Sequence, residues 1–409
     1  MAERPLKAMM SFEEAFERLC NIEPLDDVEI VAMPDAGGRV LANELAAHLN
    51  QPPHAVSSMD GYAVRSEDFQ PTTSKLLVTG EVAAGDKPDT LSVGPMQAVR
   101  IFTGAPVPPG ADCIVIQENV KKLEGGYISA TGDIVAGRYI RPAAYDFSVN
   151  DRLLERGRTL RSSDLSLAAA AGHSEIAVRR KPSLAIVSTG NELVPPGTKP
   201  ENGQIIASNA LGVADLAGKF GANSFDLGIA RDDIAQLKSK FKKALELKAD
   251  VIVTLGGASV GDHDLVRPAL EQLGAQLDFW KVAVRPGKPL MFGKLERSLV
   301  LGLPGNPVSS LVCSHIFLQP LVQRLLGLNA ALAMQSAVLS SPLPANGARR
   351  HFMRAQLIDS NEMVPFIRPL PDQDSSLLSR LSMADALINV PPHQDALPEG
   401  SVCKFLTLE

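Results

Sequence analysis

Acids and cations gather in five short segments that interrupt the apolar runs of residues 180–310 in this 409-residue chain. The segments are 188–193, 230–233, 255–264, 285–289 and 303–308. Glu192, Asp232 and Asp264 bring carboxylates, Arg285 and Lys288 bring positive charge, and the remainder is largely glycine, serine, asparagine and proline. The third segment, Leu255-Gly256-Gly257-Ala258-Ser259-Val260-Gly261-Asp262-His263-Asp264, is the densest. Its glycines let a ligand approach the backbone closely, and N–H groups in such a loop make an anion cradle. Asp262 and Asp264 add hard oxygen ligands, and a site that seats an anion among carboxylates needs a divalent ion between them. The chemistry implied is transfer at an anionic group with divalent-ion assistance. Neither the Gly-x-x-x-x-Gly-Lys-Ser/Thr phosphate loop nor a Gly-x-Gly-x-x-Gly turn between a strand and a helix is present, which disfavours an ordinary kinase or dehydrogenase.

These loops need strands to carry them. Apolar runs at 183–187, 224–229, 249–255, 279–284 and 298–302 read as strands, and the run at 249–255 as one buried on both faces. Helical patterns at 205–220, 234–248, 265–273 and from Pro307 to about Leu326 alternate with them. Such alternation implies βαβ units and a mainly parallel sheet, whose carboxyl-end loops meet at one edge where ligands bind. Asp232 or Asp233 is placed to cap the 234–248 helix, and Asn306 with Pro307 to open the last one, its positive end toward the same edge.

The flanking sequence is different in kind. Ser11 followed by Glu14 predicts a capped helix to Leu19. Residues 36–50 predict a loop and then a helix from Val40 to Leu49. Short apolar stretches between Gly/Pro-rich turns predict an all-β region from about 75 to 130, including a rigid loop at 103–112. Residues 160–171 predict an alanine-rich helix capped at Gly172, and 349–357, 363–367 and 386–390 predict strands. Net charge is −6, and Cys20, Cys113, Cys313 and Cys403 form no Cys-x-x-Cys pair. A general nucleic-acid binder would carry a basic footprint, and a structural zinc site is not expected from cysteines so spaced. With no apolar run near about 18 residues and no signal-peptide core at Met1–Pro5, a soluble cytoplasmic protein is expected.

The segments Ser57-Ser58-Met59-Asp60-Gly61-Tyr62-Ala63-Val64, Thr103-Gly104-Ala105-Pro106-Val107-Pro108 and Ser188-Thr189-Gly190-Asn191-Glu192-Leu193 resemble the molybdopterin molybdenumtransferases, the MoeA proteins and the E domain of gephyrin. So do Gly256-Gly257-Ala258-Ser259-Val260-Gly261 with Asp264, Arg285-Pro286-Gly287-Lys288-Pro289 and Gly302-Leu303-Pro304-Gly305-Asn306-Pro307-Val308-Ser309, all in family order. A weaker match runs from Asp374 to Ser382.

The resemblance implies a three-layer α/β catalytic domain similar to MogA and MoaB, with flanking β-rich domains in an elongated chain. It places the catalytic domain at 1–25 and 181–328, a linking α+β subdomain at 26–51 and 141–180, a β-rich subdomain at 52–140, and a barrel-like domain at 329–409. It implies insertion of molybdenum from molybdate into adenylylated molybdopterin, with release of AMP and use of Mg²⁺. It implies a homodimer whose cleft is shared between chains, and contact with a molybdopterin adenylyltransferase. Asp60, Thr103, Asp146, Glu192 and Asp264 would be catalytic. Arg141, Gly256, Gly257, Ser259, Gly261, Arg285, Lys288, Pro304, Gly305, Asn306, Pro307 and Ser375 would bind substrate, and Glu192, Asp232 and Asp264 would hold metal. The chain departs from the family at 141–146, where Arg-Pro-Ala-Ala-Tyr-Asp replaces an arginine-rich run ending Gly-Glu-Asp, at Asn191 in place of aspartate, and at Arg285 in place of lysine. A pterin-binding scaffold, or a paralogue that takes tungstate, is the alternative those departures raise.

Overall fold

The computed structural model describes residues 9–68, 74–131, 134–257, 265–358 and 364–408. The chain forms two compact units, one of residues 28–178 and one joining the N-terminal segment to residues 179–409.

The larger unit is built on a six-stranded sheet. Across its width run Asn223–Ala230, Ser183–Thr189, Val251–Leu255, Ser298–Leu303, Pro289–Leu295 and Gln276–Lys281. The first four are parallel to one another. Side chains alternate across the sheet. Ala185, Val187 and Ile252 pack with Leu237 and Phe241 of the helix Ile234–Glu246 and with Ala269 and Leu270 of the helix Val266–Gln272. Leu184 and Ile186, equally buried, take the other face, where the helix Asn209–Lys219 and the helical segment from Pro307 lie. That last segment changes pitch midway: Pro307–Cys313 is α, Ser314–Leu318 is π, and Gln319–Leu325 is α again.

Two expectations about this sheet are corrected. The strand expected at 279–284 spans Gln276–Lys281 and runs in the same direction as the first four, but it is separated from them by Pro289–Leu295, a strand the local pattern does not mark and which runs antiparallel to both its neighbours. The alternating-element pattern holds only for the first three crossovers; after the helix Val266–Gln272 the chain makes a hairpin edge. Residues 285–289 therefore reach the ligand edge by leading into an antiparallel strand, which begins where its parallel neighbour ends (Met291 lies opposite Gly302).

The C-terminal residues form a closed barrel. Arg350–Ile358 pairs with Phe366–Pro369, which pairs with Gln335–Leu339, then Val402–Thr407, then Ala386–Val390, and back to Arg350–Ile358. Ala337, Met353, Ile367, Ile388 and Phe405 fill it. The two-residue strand Val284–Arg285 adds in parallel to its rim at Arg350 and His351. The helix Phe12–Cys20 is capped by Ser11, which accepts from the Glu14 N–H as the capping box predicts. Its Phe12 ring touches both Phe317 and Phe352, with centroids 5.4 and 5.3 Å apart, so helix, central domain and barrel share one seam.

In the unit of residues 28–178 a second six-stranded sheet runs Cys113–Ile116, Gly61–Val64, Gln97–Ile101, Leu76–Val82, Tyr127–Ala130 and Val120–Lys122. The helix expected at 160–171 is Ser162–Ala170, with Gly172 following its end at φ 97°. The helix expected from Val40 to Leu49 does not form. Val40 and Leu41 make bridges to Thr159 and Val178, and Leu45–Ala46 pairs with Arg152–Leu154. Its apolar residues had suggested a helix face, but Leu41 and Leu45 fill a core with Leu154, Leu160 and Val178; tertiary packing overrides so weak a local preference.

Candidate active site

Each of the four adjacent parallel strands of the larger unit's first sheet delivers its loop to a single cleft of about 1060 Å³. Glu192 comes from the loop after Ser183–Thr189, Asp232 from the one after Asn223–Ala230, Gly256 and Gly257 from the one after Val251–Leu255. Pro304, Gly305, Asn306 and Pro307 follow Ser298–Leu303, and Arg285 and Lys288 arrive from the hairpin edge. Ser375, from the barrel domain, closes the wall. Eleven sequence-predicted residues thus share one cleft. Ser259, Gly261 and Asp264, with Asp262, lie outside the described residues.

The glycine turn is required by its surroundings. Gly256 has φ 93°, and a Cβ there would come within 2.8 Å of the Thr189 carbonyl. One expectation needs correcting. The Gly256 N–H donates to the Leu303 carbonyl at 3.1 Å, so it fastens two strand ends together and does not serve an anion. Side chains also bring positive charge to the cleft. Arg285, Lys288 and Arg349 carry it, and none has an ion-pair partner among the described residues. Elsewhere, Arg180 holds Asp250 at 2.9 Å and Arg267 holds Glu271 at 2.7 Å. Unpaired cations facing one cavity are anion receptors in waiting.

Arg349 was missed by the sequence reading. It sits beside Arg350, and only the structure separates their roles. Arg350 turns to Glu13, Asn389 and the Phe12 ring, while Arg349 lines the cleft. Gln373, Asp374 and Ser376 were also missed, although they flank Ser375. Their loop is held from below by Arg354, which is 1% exposed. Its guanidinium donates to the carbonyls of Asp372, Asp374 and Leu377 at 3.1, 2.9 and 3.2 Å. Burial lowers the Arg354 pKa from its usual value, but these carbonyls replace the lost water. Asp374 accepts from the Ser376 hydroxyl and N–H at 2.6 and 2.8 Å, which holds its carboxyl below the usual range. On the opposite wall, Asn209 Nδ2 donates to the Gly305 carbonyl at 2.7 Å and pins that turn. Asp233, not Asp232, caps the following helix by accepting from the Gln236 N–H at 2.8 Å, leaving the Asp232 carboxylate to the cleft.

Asp60, Thr103, Arg141 and Asp146 belong to the unit of residues 28–178. Asp60 Oδ1 accepts from both the N–H and the hydroxyl of Thr103, each at 2.8 Å. These two bonds hold the Asp60 carboxyl below its usual pKa, with Arg100 adding a smaller pull. Arg100 is fixed between the Tyr62 and Phe102 rings, 5.0 and 4.9 Å from their centroids. Arg141, in the strand Ile140–Arg141 paired with Val56–Ser57, is exposed, and so is Asp146, whose N–H donates to the Gln51 carbonyl.

Three family profiles cover the chain in order. "MoeA N-terminal region (domain I and II)" matches residues 10–172, "Probable molybdopterin binding domain" matches 185–324, and "MoeA C-terminal region (domain IV)" matches 336–408. A molybdopterin molybdenumtransferase of Haemophilus influenzae is 37% identical over 320 residues, 78% of each chain. One of Nostoc sp. is 33% identical over 99% of this chain and 95% of its own. A crystal structure of a molybdopterin biosynthesis MoeA protein from Pyrococcus horikosii superposes with a TM-score of 0.85 at 29% identity, over 98% of this chain and 100% of that one. The α/β domain with its flanking β-rich domains, the order of the profiles and these full-length likenesses agree: this chain belongs to the molybdopterin molybdenumtransferase family, the MoeA proteins.

Proposed function

We propose that this protein is a transferase of molybdenum cofactor biosynthesis that moves molybdenum from molybdate into adenylylated molybdopterin and releases AMP. The observation that carries this is the company kept in one cleft: the cations Arg285, Lys288 and Arg349 with no carboxylate partner among the described residues, facing the carboxylates of Glu192 and Asp232. Molybdate is a tetrahedral dianion. A planar guanidinium grips two of its oxygens and a lysine adds a point charge. The same cations neutralise the phosphate that departs with AMP. Prolines 304 and 307 bring no N–H to the wall.

Mg²⁺ belongs to the same proposal. Glu192 and Asp232 both line the cleft, and neither side chain makes a hydrogen bond or ion pair among the described residues. No group of three metal-ligating side chains occurs among those residues. Two free carboxylates with substrate phosphates completing the shell is the donor set Mg²⁺ prefers. When bound, it would supply charge neutralisation at the phosphate whose anhydride bond is cleaved. A homodimer with a cleft shared between chains is the assembly proposed, in which Asp60, kept ionised by Thr103, would act from the partner chain. Among the described residues no helix is long and apolar enough to cross a membrane, in keeping with a cytoplasmic enzyme that receives its substrate from a molybdopterin adenylyltransferase. The test is AMP release from adenylylated molybdopterin on addition of molybdate and Mg²⁺. Turnover that requires both ions supports the proposal; AMP release indifferent to molybdate defeats it.

A further inference from the structure

Next to this cleft lies a second cavity of about 850 Å³, walled by the 341–347 segment, the strand Arg350–Ile358 and the 368–383 segment. Arg285 and Gln373 line both. The ionisable groups of the second cavity are Arg285, Arg368, Arg380 and His351, with no carboxylate among its lining. None of its three arginines has an ion-pair partner among the described residues. Arg368 makes a single long hydrogen bond, 3.5 Å to Gln356 Oε1. By contrast Arg18, Arg39, Arg158, Arg180 and Arg267 are each matched to an acid. The chain carries a net charge of −6, yet no carboxylate lines this cavity. His351 is 6% exposed. Burial, then Arg285, Arg349 and Arg354, push its pKa down to about 3, so it is neutral at physiological pH and adds no charge to repel those arginines. Pro342, Pro344, Pro369, Leu370, Met353 and Met383 give the wall an apolar part, and Ser341, Asn346, Gln356 and Gln373 add neutral polar groups. Methionine and proline give an adaptable, flat surface suited to a ring or chain, and the volume falls in the range of small-molecule sites.

We propose that this second cavity binds a small organic anion, an apolar ring or chain ending in a phosphate or carboxylate, with its charged end among Arg285, Arg368 and Arg380. The proposal does not rest on molybdenum transfer, although its cavity shares Arg285 and Gln373 with the first cleft. Since Arg285 serves both cavities, an anion in the second one draws on a cation the first one uses.

Calorimetric titration of the full chain with phenyl phosphate, and separately with benzoate, tests this directly. One or both should bind saturably, and whichever binds more tightly identifies the end group. Benzyl alcohol, which has the ring without the charge, should not bind. The Arg368→Gln/Arg380→Gln variant should weaken binding by at least about tenfold, whereas Arg349→Gln, in the first cleft only, should leave it unchanged. The charge-preserving Arg368→Lys/Arg380→Lys variant should retain most of the binding, which separates lost charge from lost fold. Failure of both probes to bind the wild type overturns the proposal. So does binding that survives Arg368→Gln/Arg380→Gln, or binding that Arg349→Gln abolishes. Because the readout is binding alone, none of these results depends on the enzyme's turnover.

Discussion

Asn306 Nδ2 donates a hydrogen bond to Ser375 Oγ at 2.8 Å, joining the loop after a parallel strand of the central sheet to a loop of the C-terminal barrel. Both residues line the cleft, and the bond spans its two walls. Asn306 is also the residue before the helix Pro307–Cys313, yet its side chain makes no capping bond; it is spent on Ser375. Asn306→Ala and Ser375→Ala should each lower kcat/KM while shifting thermal stability little. Their double-mutant cycle should return a coupling of about 0.5–1.5 kcal/mol in transition-state stabilisation. Steady-state kinetics of the four proteins checks this; strictly additive losses would show that the bond does not order the cleft.

Lys288 and Arg285 should divide binding from geometry. Lys288→Ala removes a charge and should raise the KM for molybdate by about ten- to a hundredfold. Arg285→Lys keeps the charge and loses the planar fork, so a smaller rise of about three- to tenfold is expected. Initial rates over a molybdate series separate the two.

The turn that carries them has little room. Gly287 has φ 110°, and a Cβ placed on it would lie 2.3 Å from the buried Cys313 Sγ. Gly287→Ala should cost about 1–3 kcal/mol and displace Lys288. Denaturant unfolding should register the first effect and a raised molybdate KM the second. Relieving the contact with Cys313→Ala should recover only part of the loss, since the backbone angle remains unfavourable for alanine.

How much of this was legible beforehand follows from what each residue depends on. The cleft residues after parallel strands, Glu192, Asp232, Pro304 and Asn306, were readable because a buried strand followed by a polar, glycine-containing turn is a local pattern with one spatial outcome. The strand Pro289–Leu295 was not, because it pairs in a hairpin edge whose direction no local periodicity encodes. Arg349 escaped notice because its role is decided by barrel register, which sends its neighbour Arg350 to Glu13 and Asn389. The Gly256 N–H reads as an anion donor because it opens a glycine-rich loop at a strand end, but a backbone partner 47 residues away in the chain, Leu303, takes it. The failed helix at Val40–Leu49 shows the same limit: its apolar residues were recognised, but not the sheet-like core that claimed them.

In the unit of residues 28–178, Asp164 is an acid that stability depends on. Arg158 grips it through Nε and Nη2, each at 2.9 Å, and it accepts from the Arg161 N–H at 3.0 Å, at the start of the helix Ser162–Ala170. The Arg158 hydrogen bonds, against the opposing cost of burial, bring its pKa down to about 2. An aspartate in the unfolded chain titrates near about 3.9. The folded state therefore binds its proton less readily, and the stabilisation is complete above about pH 5 and disappears as pH falls through about 2. Asp164→Asn should lower stability by about 1–2 kcal/mol at pH 7. The gap between the two proteins should narrow steadily as pH drops from 5 to 2, as thermal melts across that range would show. A gap that widens with acid would have the sign wrong.

The most direct measurement is anomalous diffraction at the molybdenum edge from crystals of this protein soaked in molybdate with AMP. A molybdenum peak is expected in the first cleft, against the side chains of Arg285, Lys288 and Arg349. A peak elsewhere on the surface, with that cleft showing none, would contradict the central claim that these cations gather there to hold the oxyanion.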